Sequence, residues 1–207
     1  MGTKARREKE KEHMKGVILE AATKIITLEG YDGLSMRKIA DAIDYTPTTI
    51  YSYYKDKAAI VNGISRQIYD KIIADVKTAF EESKGSPMDV RLKFLLKAFL
   101  YSIADNPEMG MAVIKSGTGA IFGPSDDDIP QENNGTLILQ EFLKQGQSER
   151  AFRKLDSNMP WMLITALIGF ALNAIENGLH RNENWAQLVE VYADMLVRGL
   201  LPGGDRA

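Results

Sequence analysis

The chain has 207 residues, of which 44% are hydrophobic, so it is long and apolar enough to bury a core in one or two domains. It contains no cysteine, which excludes disulfides and thiolate zinc sites and suits a reducing cytoplasm. The net charge of −2 is unevenly distributed along the chain, because residues 1–59 hold 11 Lys or Arg against 9 Asp or Glu. This small N-terminal excess has the sign expected for nucleic-acid binding without establishing it. No apolar N-terminal segment indicates a secretory signal, and we expect a cytoplasmic protein.

The first predicted helix runs from Val17 to Glu29 and follows a mixed charged run over residues 4–11. Apolar residues recur in it at steps of three and four, and Gly30 supplies a helix-ending glycine. The charged run is interpreted as a solvated, frayed terminus. The alternative is an arm that reaches the backbone or minor groove of DNA.

Two short helices separated by a tight turn are predicted next. Ser35 is a good N-cap for a helix that ends at Ile43 and gathers its apolar residues on one face. Asp44 stands at the turn, where tolerance of left-handed backbone is useful. Thr46 and Pro47 then begin a new helix with an N-cap hydroxyl and a proline at the first position. This pattern indicates either a helix-turn-helix or an ordinary helical hairpin.

The second of these helices has two different faces. Ile50 and Tyr54 lie four residues apart and can face the preceding helix. The opposite face carries small hydroxyls and one aromatic residue, whereas Glu and Lys are commoner on a face that is merely solvated. It suits a helix lying in a DNA major groove. The outward residues are Thr48, Thr49, Ser52 and Tyr53.

These residues resemble the DNA-binding signature of the tetracycline-repressor (TetR) family over the first quarter of the chain. The departures are Asp44, where a glycine is usual, and Tyr54, where Phe is commoner. The resemblance implies an all-α protein, in which a three-helix headpiece with a helix-turn-helix is joined by a long connecting helix to an α-helical ligand-binding and dimerisation domain. The matching residues are Ile39, Ala40, Thr49, Ile50, Tyr51, Tyr54 and Lys57.

Eight residues are predicted to contact double-stranded DNA. Arg37 can bind a guanine edge in a bidentate manner, and hydroxyls and lysine suit phosphate. In a two-fold dimer the headpieces would read inverted half-sites whose centres lie about 34 to 36 Å or more apart, so we expect a palindromic operator. The base-edge candidates are Arg37, Thr48 and Tyr53, and the backbone candidates are Ser35, Thr46, Thr49, Tyr51 and Lys57.

A long connecting helix is predicted from Lys57, with apolar residues at four-residue steps through Phe80 and an end near Gly85 and Pro87. A stiff helix that begins at a phosphate-contacting lysine can transmit a tilt to the recognition helix. We therefore divide the chain into an N-terminal helix-turn-helix DNA-binding domain, residues 1–57, and a C-terminal helical effector-binding and dimerisation domain, residues 58–207.

The C-terminal half reads as helical apart from a loop-like stretch over residues 117–135. Its glycines fit neither nucleotide-binding fingerprint, and its three adjacent aspartates do not alternate as in a calcium loop. Residues 159–175 are apolar nearly all round but too short and too interrupted for a membrane span. With the stripe over residues 185–199, they predict a homodimer through the last two helices, as TetR-like proteins form.

The resemblance also implies a cavity for a small-molecule effector among the C-terminal helices. Met and aromatic side chains form adaptable pockets, which favours a small, largely apolar or aromatic ligand. Asn173 is the single amide in an apolar helix and needs a hydrogen-bond partner. Plain core or interface packing is the alternative for each candidate. The candidates are Phe99, Tyr101, Met111, Phe122, Phe142, Trp161, Met162, Phe170 and Asn173.

Enzymatic function is not predicted. His13 lies in the charged run and His180 near a helix end, without companion ligands, so no metal site, histidine-based catalysis or cofactor is indicated. The sequence predicts a ligand-responsive repressor. The alternative is a helical carrier of hydrophobic ligands with an unused headpiece.

Overall fold

The structure consists of α-helices joined by short turns. The computed structural model describes residues 3–115 and 134–203, and these contain no β-strand. The predicted all-α class is confirmed. In chain order the helices are α1 (Thr3–Gly33), α2 (Met36–Ala42), α3 (Pro47–Tyr51), α4 (Lys57–Glu82), α5 (Met88–Ala104), α6 (Pro107–Lys115), α7 (Gly135–Ser148), α8 (Met159–Glu176) and α9 (Trp185–Arg198), with a 3-10 turn (Leu179–Arg181) before α9.

The described helices divide into two compact units. The first contains α1, α2, α3, α6 and α4 as far as Tyr69, and the second contains α4 from Asp70, α5, α7, α8 and α9. The start of α4 and the whole of α6 therefore pack with the headpiece, whereas the sequence analysis assigns them to the C-terminal domain. Burial explains this at the start of α4, where Ile60, Val61 and Ile64 are fully buried.

The charged N-terminal run is helical, so the prediction of a frayed terminus is wrong. Helix α1 begins at Thr3, and residues 4–13 are exposed along it. An ion pair one turn apart supports the helix, with Arg6 Nε 3.3 Å from Glu10 Oε1. Gly30 adopts φ 78° and ψ 176°, which ends the regular helix where the sequence predicted.

Helix α6 lies along α1 in the first unit. The Thr27 hydroxyl donates a hydrogen bond to the Glu108 carbonyl at 3.3 Å, although the two residues are 81 positions apart. The apolar face of residues 17–29 indicates that this helix packs against another element, but the sequence does not say which one. In the structure α6 is one of its partners.

Aromatic side chains form part of the core of the second unit. The Phe142 ring lies edge-on to Phe80, with centroids 6.2 Å apart, and 6.4 Å from Phe152. Gly146 allows this packing, because a Cβ at that position would lie 2.2 Å from Phe152 Cδ2. The Arg91 guanidinium covers the Phe80 ring at 4.5 Å from its centroid.

Helices α8 and α9 are joined by stacked rings. Phe170 stacks on Tyr192 with centroids 4.0 Å apart and an interplanar angle of 9°. The Tyr192 hydroxyl donates to the Ala166 carbonyl at 2.8 Å, and burial raises the pKa of that hydroxyl. The two helices are thereby held side by side.

Helix α8 is the one described helix that is long and apolar enough to cross a membrane, with a mean hydropathy of 1.5. The core helix of a soluble protein can have the same composition. Part of α8 is buried in the second unit, whereas Trp161 and Met162 are exposed.

Ion pairs link α5 to α9. Glu190 pairs with both Lys93 and Lys97, and Asp194 accepts a hydrogen bond from Lys93 at 3.3 Å and pairs with Arg198 at 2.5 Å. Hydrogen bonds from Lys93 and then Lys97 hold the pKa of the Glu190 carboxyl below its usual value. A carboxyl with a lowered pKa stabilises the fold above its unfolded-state pKa and loses that contribution as pH falls.

We expect Glu190→Gln to lower the free energy of unfolding by about 0.5 to 1 kcal/mol near pH 7, because it removes the charge that two lysines share. The deficit should shrink as the pH falls below 4.5, the ordinary pKa of the group. Urea denaturation of the variant and the wild type near pH 7 and near pH 4 measures this difference in the free energy of unfolding. Glu141→Gln, at an exposed position on α7, is the control. A deficit that is the same at both pH values would contradict the ion-pair explanation.

Candidate nucleic-acid interface

Ser35 caps the start of α2, as the sequence predicts. Ser35 Oγ accepts the backbone N–H of Lys38 at 3.2 Å. Arg37 is exposed and forms no hydrogen bond or ion pair with the described residues, whereas Lys38 pairs with Glu29. The guanidinium of Arg37 is therefore available to a ligand outside the protein. The buried face of α2 consists of Met36, Ile39 and Ala40.

The turn between α2 and α3 occurs where the sequence placed it. Asp44 has a φ of 57°, in the left-handed region that an aspartate tolerates. The backbone N–H of Tyr45 then donates to the Ala40 carbonyl at 2.9 Å, which closes the end of α2. Aspartate thus serves at a position where the family pattern has glycine.

Helix α3 is short and capped at its first turn. Thr46 Oγ1 accepts the Thr49 backbone N–H at 3.3 Å and lies 3.0 Å from the Thr49 hydroxyl, and Pro47 is the first helical residue. After α3, the Ser52 hydroxyl donates to the Thr49 carbonyl at 2.6 Å. The hydroxyls of Thr46, Thr49 and Ser52 therefore already have hydrogen-bond partners within α3 and at its ends, while Thr48 has none among the described residues.

The two faces of α3 differ as the sequence analysis expected. Ile50 is fully buried, Thr48 is exposed, and 56% of the Tyr51 surface is exposed. Tyr53 is half-buried and lies beyond the end of α3. The arrangement leaves Arg37, Thr48 and Tyr51 accessible around α2 and α3, and the roles assigned to them in binding DNA remain predictions.

Tyr54 is half-buried, in keeping with the inward position predicted for it. Burial, with a smaller contribution from the charge of Glu12, raises the pKa of its hydroxyl to about 12. The hydroxyl therefore remains protonated at neutral pH, and the ring packs as a neutral group.

Lys57, at the first position of α4, is half-buried and turned towards the end of α1. Its Nζ donates to the Tyr31 carbonyl at 3.4 Å and lies 4.3 Å from the centroid of the Tyr31 ring. The sequence motif predicts a phosphate contact for this lysine. Its contacts in the protein fix the position of the ammonium group in the absence of DNA.

Two further residues near α3 were not among the predicted contacts. Tyr45 is 45% exposed, and Lys55 is exposed without an ion pair in the described parts of the chain. Lys55 lies two positions from Lys57, so its proximity to the motif was the signal that could have identified it. No comparable sequence signal identifies Tyr45, because the direction of a side chain in a turn does not follow from a periodic pattern.

Residues 18–64 match a family described as bacterial regulatory proteins of the tetR family. This range includes the C-terminal half of α1, all of α2 and α3, and the start of α4. These residues are therefore similar to the DNA-binding domain of TetR-family regulators. The resemblance inferred from seven residues is thus confirmed over the whole headpiece motif.

Two curated relatives match part of the chain. An uncharacterised HTH-type transcriptional regulator of Haemophilus influenzae is 27% identical over 90 residues, which are 44% of this chain and 47% of that protein. The HTH-type transcriptional repressor KstR of Mycobacterium tuberculosis is 28% identical over 117 residues, which are 56% of this chain and 50% of that protein. The chain spans about half the length of the curated relatives that it matches. Both are named as transcriptional regulators.

A comparison of folds finds similarity beyond residues 18–64. A TetR family transcription regulator from Marinobacter aquaeolei superposes with a TM-score of 0.71 at 19% identity, covering 95% of this chain and 98% of that one. At this identity the likeness concerns the fold. It places the helical C-terminal half in the same architecture.

The predicted effector residues do not share one environment. Trp161, Met162 and Asn173 are exposed on α8. Exposure of Asn173 to water removes the reason for expecting a ligand as its hydrogen-bond partner. Phe142 is buried against Phe80 and Phe152, and Phe170 is stacked on Tyr192, whereas Phe122 lies outside the described residues. The half-buried candidates are Phe99, Tyr101 and Met111.

A cavity of about 210 Å³ lies between α7 and the start of α8. None of the predicted effector residues lines it. Its polar groups include Lys144 and Asp156. The other lining residues are Gln140, Leu143, Gln147, Leu155, Ser157, Met159 and Pro160.

Proposed function

We propose that this protein is a transcriptional repressor that binds a palindromic operator as a homodimer and leaves it when a small, largely apolar effector binds. The observation that carries the proposal is the division of α3, in which Ile50 is fully buried while Thr48 and Tyr51 face solvent. A capped helix held by one face and accessible on the other is the recognition unit of helix-turn-helix proteins. The TetR-family match over residues 18–64 supports the same role.

Contacts to bases and to the DNA backbone are made by different residues in this proposal. Arg37, which is exposed, reads a guanine, and the exposed Thr48 and the half-buried Tyr53 approach base edges. Backbone contacts fix the register of the headpiece. They come from Ser35, Thr46, Thr49, Tyr51 and Lys57.

The homodimer forms through α8 and α9. Large apolar side chains are exposed on both helices of the single chain, with Trp161 56% and Met195 57% exposed. Soluble proteins seldom leave such side chains clustered in water, and a second copy would cover them. The remaining exposed apolar residues of these helices are Met162 and Val191.

The effector acts by favouring a state of the dimer in which the two headpieces no longer match the operator spacing. Operator affinity then falls by the difference in the effector's binding free energy between the two states. The name of the mycobacterial relative, a transcriptional repressor, supports repression rather than activation. Repression of this kind takes place in the cytoplasm, and the protein has no catalytic role in it.

Selection of bound duplexes from a random DNA pool tests the proposal. We expect inverted repeats to be enriched, with affinity about 1,000-fold or more above that for random duplex at physiological salt. The complex should contain two protein chains per operator by light scattering. A compound that raises the melting temperature of the protein should weaken operator binding.

Two results would contradict the proposal. One is enrichment of no sequence, with only weak binding that disappears as salt rises. The other is a single chain per operator. A compound that raises the melting temperature in a protein that selects no DNA would support the hydrophobic-ligand carrier instead.

A further inference from the structure

The ammonium group of Lys57 is fixed by two contacts with a residue 26 positions earlier in the chain. Lys57 Nζ lies 3.4 Å from the Tyr31 carbonyl oxygen and 4.3 Å from the centroid of the Tyr31 ring. A lysine ammonium has three N–H donors, and one hydrogen bond and one contact with a ring face do not use all of them. The side chain is only half-buried. A donor therefore remains for a group outside the protein.

The backbone around Tyr31 explains why its carbonyl is within reach. Gly30 leaves the helical conformation at φ 78°, in the region that glycine adopts at little cost. The Tyr31 carbonyl then accepts the Leu34 N–H at 3.1 Å as well as the Lys57 ammonium. The turn between α1 and α2 and the first residue of α4 are thus joined at one oxygen atom.

The start of α4 cannot serve as an anion site by itself. The Asp56 carboxylate caps it by accepting the Ala59 N–H at 2.7 Å, which places a negative charge at the positive end of the helix. A phosphate approaching this end must therefore be bound by a side-chain cation. Lys57 is the cation that the protein holds in place there.

We infer that Tyr31 is a positioning residue for phosphate binding: its ring and carbonyl hold the Lys57 ammonium at the place where a DNA phosphate is bound. This inference rests on the proposed DNA-binding function. It implies that the turn between α1 and α2 contributes to the affinity for DNA. A lysine on a flexible stem loses rotational freedom when it binds. In this protein the ring and carbonyl of Tyr31 already restrict that freedom before DNA arrives, so less of it is lost on binding.

The experiment measures binding to a random-sequence duplex of about 30 base pairs at several salt concentrations, because a phosphate contact does not depend on sequence. Lys57→Ala should reduce the slope of log affinity against log salt by about 0.9 per bound headpiece. Tyr31→Leu should weaken binding about two- to tenfold with the slope unchanged, because the lysine charge and the backbone carbonyl stay and only the contact with the ring is lost. Tyr31→Phe, which also keeps the ring, should bind like the wild type.

The double variant separates positioning from simple destabilisation. In the Lys57→Ala background, Tyr31→Leu should have no further effect on DNA affinity, since the group that it positions is gone. An equal loss in both backgrounds would overturn the inference, and so would an unchanged salt slope for Lys57→Ala. A wild-type protein that shows no salt-dependent binding to duplex DNA would instead refute the proposed function.

A spectroscopic measurement on the wild-type protein does not depend on any variant folding. With selectively labelled lysine, the Lys57 ε-methylene protons should be shifted upfield by the Tyr31 ring current, both free and with the duplex bound. In the Tyr31→Phe protein the shift should persist. A Lys57 resonance at the position of the exposed lysines in the wild type would overturn the inference.

Discussion

Replacing Ile50 with alanine is expected to lower the free energy of unfolding of the headpiece by about 2 to 5 kcal/mol, because the isoleucine is fully buried and the substitution leaves a cavity. The total stability of a domain is only about 5 to 15 kcal/mol. The variant should therefore lose operator binding through unfolding of α3 and not through the loss of a contact. Amide hydrogen exchange over residues 36–51 measures the change at the site.

Thr48→Ala is the matched control for this substitution. It lies on the same short helix and is exposed, so its stability should change by less than about 0.5 kcal/mol. Both tryptophans, Trp161 and Trp185, lie in the second unit, and their fluorescence should report normal folding there in both variants. Equal protection of α3 in the Ile50→Ala and wild-type proteins would contradict the packing of this helix.

Local signals in the headpiece were sufficient to predict α2, α3 and the end of the regular part of α1. Ser35 and Thr46 each accept a backbone N–H at the helix start where their hydroxyls predicted a cap, and Gly30 ends the first helix. These features depend on residues within four positions of each other, so a sequence displays them directly. The burial of Ile50 follows in the same way from the spacing of apolar residues.

Contacts between distant residues could not be predicted. Nothing in the sequence indicates that Lys57 faces Tyr31 or that α6 lies along α1, because each contact depends on how separate helices pack. The N-terminal run was misjudged for another reason: its ion pairs stabilise a helix without any apolar face, and the periodicity rule detects only apolar faces.

The effector residues illustrate a further limit of sequence patterns. Helix α8 is apolar on nearly all sides, so its sequence does not distinguish the buried Leu163 and Leu167 from the exposed Trp161 and Met162. Only the packing of α8 on its neighbours makes that distinction. The exposed residues are better explained by the proposed dimer interface than by an effector cavity.

The second large effect is expected at Arg37. Arg37→Ala should weaken binding to the selected operator by about 1 to 3 kcal/mol, a five- to 150-fold loss, if the guanidinium binds a guanine in a bidentate manner. Binding to random duplex should fall much less, because a base contact contributes little where the base varies. Arg37 is suited to this role because it is exposed on α2 and has no partner among the described residues.

Lys38→Ala provides the control for Arg37, since Lys38 is adjacent, has the same charge and is exposed, but pairs with Glu29. Its loss should alter affinity for operator and random duplex to a similar, small extent. Dissociation constants for both duplexes, each at several salt concentrations, separate a base contact from a phosphate contact. An Arg37→Ala loss of equal size on operator and random duplex would assign Arg37 to the backbone, and sequence reading would then depend on Thr48 and Tyr53.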